Sequence, residues 1–94
     1  MDGTPLEQAL MNKLQVTITY TKEKTGEVKI HTGGITKIGV NKAGKPALWL
    51  WDTSLQDNIR QMLLSNINSF QVLDTPFVVP NGWPLELNGQ IIGY

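Results

Sequence analysis

The sequence predicts a single, mostly-β domain: a small five-stranded barrel over residues 14–73, with a short N-terminal helix and an extended C-terminal tail. Residues 14–21 alternate strictly between apolar and polar side chains, which is typical of a half-buried strand. Further strand-like segments follow at nearly even spacing, and a glycine pair interrupts the second one. The length of 94 residues suits one domain.

The start of the chain predicts a helix over residues 4–13. The segment Thr4-Pro5-Leu6-Glu7 places a hydroxyl at the N-cap, a proline at the first helical position and a glutamate three residues after the cap. Leu6 and Leu10 then share one helical face. Because so short a helix is unstable alone, these leucines are expected to pack on the sheet.

The second strand is predicted to return antiparallel after a polar turn that ends at Gly26. From Val28 to Val40 the even positions are apolar or small, so Val28 and Ile30 are expected to face the core. Gly33-Gly34 is expected to allow a bend or bulge that curls the sheet.

The third strand, residues 47–51, is apolar at every position, which predicts burial on both faces. A polar loop over 52–58 leads to a fourth strand over 59–64, a tight turn over 65–68 and a fifth strand over 70–73.

The tail after Asp74 contains Pro76, Pro80 and Pro84, which favour extended chain over continuous sheet pairing. Asn88-Gly89 predicts a hairpin over 85–92 that docks on the barrel or on a neighbour.

The predicted core includes Ile30 of the second strand. A buried unpaired charge is costly, so Ile30→Asp is expected to unfold the domain. The predicted core consists of Val16, Ile18, Val28, Ile30, Leu63, Phe70 and Val72.

Composition narrows the function classes. Eight basic and eight acidic residues cancel, which argues against a duplex-DNA specialist. The chain has no cysteine and one histidine, so we expect no disulfide, no metal or other cofactor and no catalysis. Neither an apolar run of about 20 residues nor a signal-like N-terminus is present, so a cytoplasmic protein without membrane association is expected.

Residues 64–73, with Asp74 and Phe77, resemble the end of a WYL domain, and the similarity covers about residues 14–77. Leu48-Trp49-Leu50-Trp51 stands where that family has Trp-Tyr-Leu, and Arg60 where it often has an arginine opening the fourth strand. The chain departs from the family at Ser65-Asn66, which replaces Asp-Arg.

WYL domains are Sm-like (SH3-type) barrels, so the resemblance implies that fold. They normally carry a helix-turn-helix before the barrel, whereas thirteen residues precede the first strand here. The lone-domain layout is also similar to short Sm-like proteins of phages, of the cyanophage type.

The resemblance implies a homo-oligomeric ring of about five to seven copies, in which the fourth strand pairs with a neighbour's fifth strand. In Sm-like rings the loops equivalent to 41–46 and 65–69 line the pore and hold single-stranded RNA or nucleotides. The candidate nucleic-acid-binding residues are Asn41, Lys42, Lys45, Arg60, Asn66 and Asn68. The candidate interface residues are Trp49, Trp51, Phe70 and Val72.

Each candidate also has a simpler interpretation. The loop amides and lysines are often plain surface residues. Tryptophans in an apolar strand are more often core or interface than base-stacking platforms, so Trp83 and Tyr94 are better placed for exposed contacts. Arg60 is expected to pair with a carboxylate or to reach water rather than a ligand. His31 shares its strand face with polar residues and is expected on the surface.

Two functions therefore remain open. The first is a non-enzymatic Sm-like ring that contacts single-stranded RNA or a nucleotide through the loops 41–46 and 65–69. The second is a purely structural or protein-interaction subunit of phage origin with no nucleic-acid role.

Overall fold

The computed structural model describes residues 4–52, 59–79 and 83–93. The described part is mostly β, as predicted, and none of its helices is long and apolar enough to cross a membrane. The elements are α1 (Thr4–Met11), β1 (Leu14–Thr21), β2 (Val28–Val40), β3 (Pro46–Asp52), β4 (Ile59–Leu63), a 3₁₀ turn (Leu64–Asn66), β5 (Ile67–Pro76), β6 (Leu85–Leu87) and β7 (Gln90–Gly93).

The main sheet has the strand order β4-β3-β2-β1-β5, and these neighbours pair antiparallel. The long β2 pairs with β1 along its first half and with β3 along its second half. Within the described residues β4 and β5 are the two ends of this path and do not pair with each other, so the sheet is not closed.

The C-terminal hairpin docks on this sheet. β6 runs parallel to β2 at Lys37 and Ile38, and the Asn88 N–H donates to the Ile38 carbonyl at 2.8 Å. Asn88 and Gly89 both have positive φ, 50° and 85°, which is the conformation a two-residue hairpin turn requires. The predicted hairpin is therefore confirmed, as is its docking on the domain.

The helix is shorter than predicted because Lys13 adopts a left-handed conformation with φ of 55°. The Lys13 carbonyl accepts the N–H of Phe77 at 2.7 Å, which ties the end of α1 to the segment after β5. Leu6 and Leu10 are buried against the sheet, as their spacing predicts.

The predicted core is only partly correct. Val16 and Ile18 are fully buried, but Val28 and Ile30 are 56% and 65% exposed. On β5, Val72 is 37% exposed. Leu63 and Phe70 are half-buried rather than buried. The buried hydrophobic cluster consists of Leu6, Ala9, Leu10, Val16, Ile18, Tyr20, Ile35, Ile38, Leu48, Leu50, Met62, Ile67 and Leu85.

A bulge at Thr36 explains the error in β2. Ile35 pairs with Leu50 and Lys37 with Trp49, so β2 has one residue more than β3 at this point. One inserted residue moves every later side chain to the opposite face. Before the bulge the odd positions therefore face the core, as Ile35 does, and Val28 and Ile30 point outward. After the bulge the even position Ile38 faces the core, whereas Val40 at the end of the strand is 63% exposed.

The glycine pair lies just before this bulge and also allows two close approaches to β2. A Cβ on Gly33 would lie 1.9 Å from the carbonyl oxygen of Trp51, and a Cβ on Gly34 would lie 2.0 Å from the Phe77 ring. Glycine is needed here because the backbone of β3 and an aromatic ring approach β2 closely.

The remaining strands differ from prediction mainly in their limits. In β3, Leu48 and Leu50 are fully buried while Trp49 and Trp51 are half-buried, so one face is less covered than predicted. The expected tight turn is the 3₁₀ turn, and β5 extends well beyond the predicted 70–73. Most of the predicted 52–58 loop, together with Pro80 and Tyr94, lies outside the described residues.

Candidate nucleic-acid interface

An open pocket of about 570 Å³ lies between β4 and the end of β1. These strands are separated by β2 and β3 in the sheet order, so the sheet must coil to bring them together. We call this site the basic pocket. Its lining consists of Tyr20, Thr21, Lys22, Glu23, Lys24, Asn41, Ala43, Lys45, Ile59, Arg60, Gln61, Met62, Leu63 and Asn66.

Arg60 is the least expected residue of the basic pocket. It pairs with Leu50 across β3 and β4, so it shares the core-facing side of the sheet with that fully buried leucine. Its Nε atom is buried and has no hydrogen-bond partner among the described residues. An orphaned buried donor is unfavourable unless a ligand or solvent satisfies it.

The charge around the basic pocket is positive although the chain is neutral overall. Four lining residues are cationic and one, Glu23, is anionic. Two lysines outside this pocket differ, because Lys29 pairs with Glu27 and Lys37 pairs with Glu86, each at 3.2 Å. Among the described residues none of the four cations of the basic pocket, Lys22, Lys24, Lys45 and Arg60, has such an ion pair.

Asn41 organises the loop that carries the lysines. Its Oδ1 accepts the backbone N–H groups of Ala43 at 2.9 Å and Lys45 at 3.0 Å. Its Nδ2 donates to Oε1 of Gln61 on β4 at 3.2 Å. The Asn41 side chain therefore shapes the rim of the basic pocket and connects the loop to β4.

The other predicted binding residues divide into two groups. Asn66, in the 3₁₀ turn, lines the basic pocket together with Asn41, Lys45 and Arg60. Lys42 instead lines a neighbouring depression. The Nδ2 of Asn68 donates to Oγ1 of Thr21 at 2.9 Å, so this amide links β5 to β1.

The predicted interface residues lie at two places. Trp49 and Trp51 lie on the outer side of β3, where Lys37 Nζ is 4.6 Å from the Trp49 ring centroid and Trp83 meets Trp51 edge-on at 5.1 Å. Phe70 and Val72 lie on β5, a terminal strand of the sheet path, and pair with Ile18 and Val16 of β1.

A polar pair that the sequence did not reveal connects β2 to β3. His31 Nδ1 lies 2.6 Å from Oδ2 of Asp52, and their side chains are 16% and 2% exposed. The His31 ring also stacks on Tyr20 with centroids 5.6 Å apart. The expectation that His31 is a surface residue is wrong, because before the bulge the odd positions of β2 point inward. Among the described residues no group of three His, Cys, Asp or Glu side chains could hold a metal ion.

Only the position of Asp52 hinted at this pair, since a carboxylate directly after an apolar strand is well placed for burial with a partner.

The chain matches no protein-family model, no curated protein and no solved structure. The functional argument therefore starts from the geometry and charge of the basic pocket.

Proposed function

We propose that the chain is a non-enzymatic binding module that holds single-stranded RNA, or a single nucleotide, in the basic pocket. The observation that carries the proposal is Arg60, whose Nε is buried without a partner among the described residues in a pocket that also holds three lysines. An arginine with a free donor suits a phosphate oxygen. A bound phosphate supplies the missing acceptor and neutralises the clustered charge.

Two further properties favour a nucleotide over a small anion. The volume of about 570 Å³ lies in the range of pockets for drug-sized ligands. Gln61 and Asn66 add amide groups to the lining, and amides can hydrogen-bond the edges of bases. The zero net charge fits a local binding site better than an extended duplex-DNA surface.

The strand arrangement supports an Sm-like barrel as the finer fold. A helix precedes the sheet, β2 is long and shared between two neighbours, and the path ends at β4 and β5. In the proposed homo-oligomeric ring of about five to seven copies, β4 of one subunit pairs with β5 of the next. Within β5, the stretch Phe70 to Leu73 contains no lysine and no proline, so two usual means of protecting an edge strand are missing there.

A purely structural or protein-interaction subunit is the second candidate. It is favoured by Val28 and Ile30, which expose apolar side chains on the outer face of β2. An exposed apolar pair on the outer face of the sheet suits protein association and needs no nucleic acid.

The test of the first candidate is fluorescence anisotropy of a labelled single-stranded RNA of about ten nucleotides, titrated at several salt concentrations. Arg60→Gln with Lys45→Ala is expected to weaken binding at least tenfold, because charge-assisted hydrogen bonds are lost. The slope of log K against log salt should flatten by about 0.7 for each lost phosphate contact.

Lys13→Ala with Lys29→Ala is the matched control, because it also removes two positive charges from the chain but none from the basic pocket. If the control and the double variant lose the same affinity for RNA, the loss would come from the overall charge of the chain and not from the basic pocket. Unchanged binding by the double variant, or no salt-dependent binding by the wild type, would reject the site in favour of the structural subunit.

The proposed ring is tested by sedimentation velocity across a dilution series. Val72→Pro removes a backbone donor from β5 and is expected to lower the oligomer mass. Val78→Lys changes a valine that is 86% exposed just after β5 and is expected to leave the mass unchanged. A wild type that stays monomeric at all concentrations would contradict the ring.

A further inference from the structure

A second pocket, of about 390 Å³, lies on the outer side of β3. Trp49 forms part of it, and Trp83 and Pro84, which directly precede β6, form another part. Docking of the C-terminal hairpin on β2 therefore helps to build this site. We call it the tryptophan pocket, and its lining consists of Thr36, Lys37, Trp49, Ile59, Trp83, Pro84 and Glu86.

The chemistry of the tryptophan pocket differs from that of the basic pocket. Its two charged residues, Lys37 and Glu86, pair with each other at 3.2 Å, so the charge is locally balanced. The remaining surface is dominated by two indole rings, and Trp83 is 37% exposed. A flat aromatic ring fits such a surface better than an anion does.

A depression of about 600 Å³ borders both pockets through shared lining residues. It shares Lys37 and Trp49 with the tryptophan pocket, and Asn41, Ala43 and Gln61 with the basic pocket. It also contributes Lys42, whose ammonium group has no ion pair among the described residues. Within the described part of the chain, cations without an ion pair therefore line both the basic pocket and the depression that borders the tryptophan pocket.

We propose that Trp83, beside Trp49, forms a base-stacking subsite for the same single strand whose phosphates occupy the basic pocket, because Lys37 already lies over the Trp49 ring. This inference rests on the proposed function. A single strand carries phosphates and flat bases at regular intervals, and single-strand binders combine a basic groove with aromatic platforms. Lys42 then lies beside the phosphates between the two pockets. A proline-rich peptide would also fit the indole rings, but it would give the cations of the basic pocket and Lys42 no phosphate to bind.

The test compares two ligands: a uridine monophosphate, which can fill the basic pocket alone, and a single-stranded RNA of about eight nucleotides, which can reach both pockets. Binding of the longer ligand is expected to quench tryptophan fluorescence. Trp83→Leu is expected to weaken the longer RNA about tenfold and to leave the mononucleotide unchanged, because only the stacked base is lost. Trp83→Phe keeps a ring and should restore most of the affinity.

The outcomes separate this inference from the proposal on which it rests. If the wild type binds neither ligand, the proposed function fails. If both bind and Trp83→Leu changes neither affinity, the basic pocket stands and the stacking subsite is rejected. A Trp83→Leu protein that loses both ligands equally would also reject the subsite, because the change would then act through the fold. Displacement of the RNA by a proline-rich peptide that binds more tightly would assign the pocket to a protein partner.

Discussion

The two halves of β2 carry the same alternation of apolar residues but bury it differently. Before the bulge, Val28 and Ile30 are exposed, and His31 points inward to Asp52. After the bulge, Ile38 is 5% exposed and belongs to the core. Alternation therefore identifies two faces of a strand but not which of them is buried, and one inserted residue exchanges them.

The bulge residue itself is compatible with burial because its polar group is satisfied. Thr36 is 2% exposed, and its hydroxyl donates to the Trp49 carbonyl at 3.3 Å. In the first half of β2 the inward polar group is likewise satisfied, by the His31–Asp52 contact. In each half of β2, a polar contact thus offsets the free-energy cost of burying a polar side chain.

The largest expected effect is that of Ile38→Asp in the buried half. An unpaired carboxylate at this position costs more than the few kcal/mol that stabilise a domain of this size. The variant is expected to lose its cooperative thermal transition and its β-sheet circular dichroism signal. A folded Ile38→Asp protein with a normal melting temperature would contradict the register after the bulge.

Gly34→Ala, at the junction of the halves, is expected to lower the free energy of unfolding by about 3 kcal/mol, because the new methyl group overlaps the Phe77 ring. Urea denaturation measures the change. Gly39→Ala in the same strand is the matched control, since its Cβ would meet only the Asn88 Cα, at 4.0 Å. Similar losses in the two variants would mean that strand glycines, and not the close approach of Phe77, set the cost.

His31→Ala and Asp52→Ala are expected to destabilise by about 2 kcal/mol each, because each removes a 2.6 Å contact between two largely buried polar side chains. A double-mutant cycle should give a coupling of about 1 kcal/mol or more. The exposed Lys29–Glu27 pair at the start of β2 is the comparison, with an expected coupling of about 0.3 kcal/mol. Equal couplings would mean that burial does not strengthen the His31–Asp52 contact.

The smallest expected effect is that of Ile30→Asp, which the alternation alone would predict to unfold the domain. Because Ile30 is 65% exposed, the change should cost less than about 1 kcal/mol and leave a soluble, folded protein. Its thermal melt, beside that of Ile38→Asp, compares the two halves directly. If Ile30→Asp is unfolded, Ile30 faces the core, as the alternation in the sequence predicts.

The features that the sequence predicted well depend on neighbouring residues. The limits of β1, the Asn88-Gly89 hairpin and the packing of Leu6 and Leu10 follow from local alternation, turn chemistry and helical spacing. Four of the six candidate binding residues do meet in the basic pocket, because the loop around Asn41 and the turn at Asn66 lie at one end of the sheet.

The features that were missed depend on distant residues. His31 and Asp52 are 21 positions apart, and their contact requires the inward phase that the bulge at Thr36 imposes. Lys22 and Lys24 enter the basic pocket only because the sheet coils toward β4. The meeting of Trp83 with Trp51 requires the tail to dock on β2.

The pairing of β1 with β5 has a consequence for the order of folding. Its two side-chain hydrogen bonds join residues 47 and 61 positions apart, whereas β1 to β4 connect to their neighbours through local hairpins. Closing such a long loop costs entropy before any contact offsets it, so the meander β1–β3 is expected to form first and β5 to join late. Pulsed hydrogen exchange during refolding should protect the β2–β3 amides before those of β5, and early protection of β5 would reverse this order.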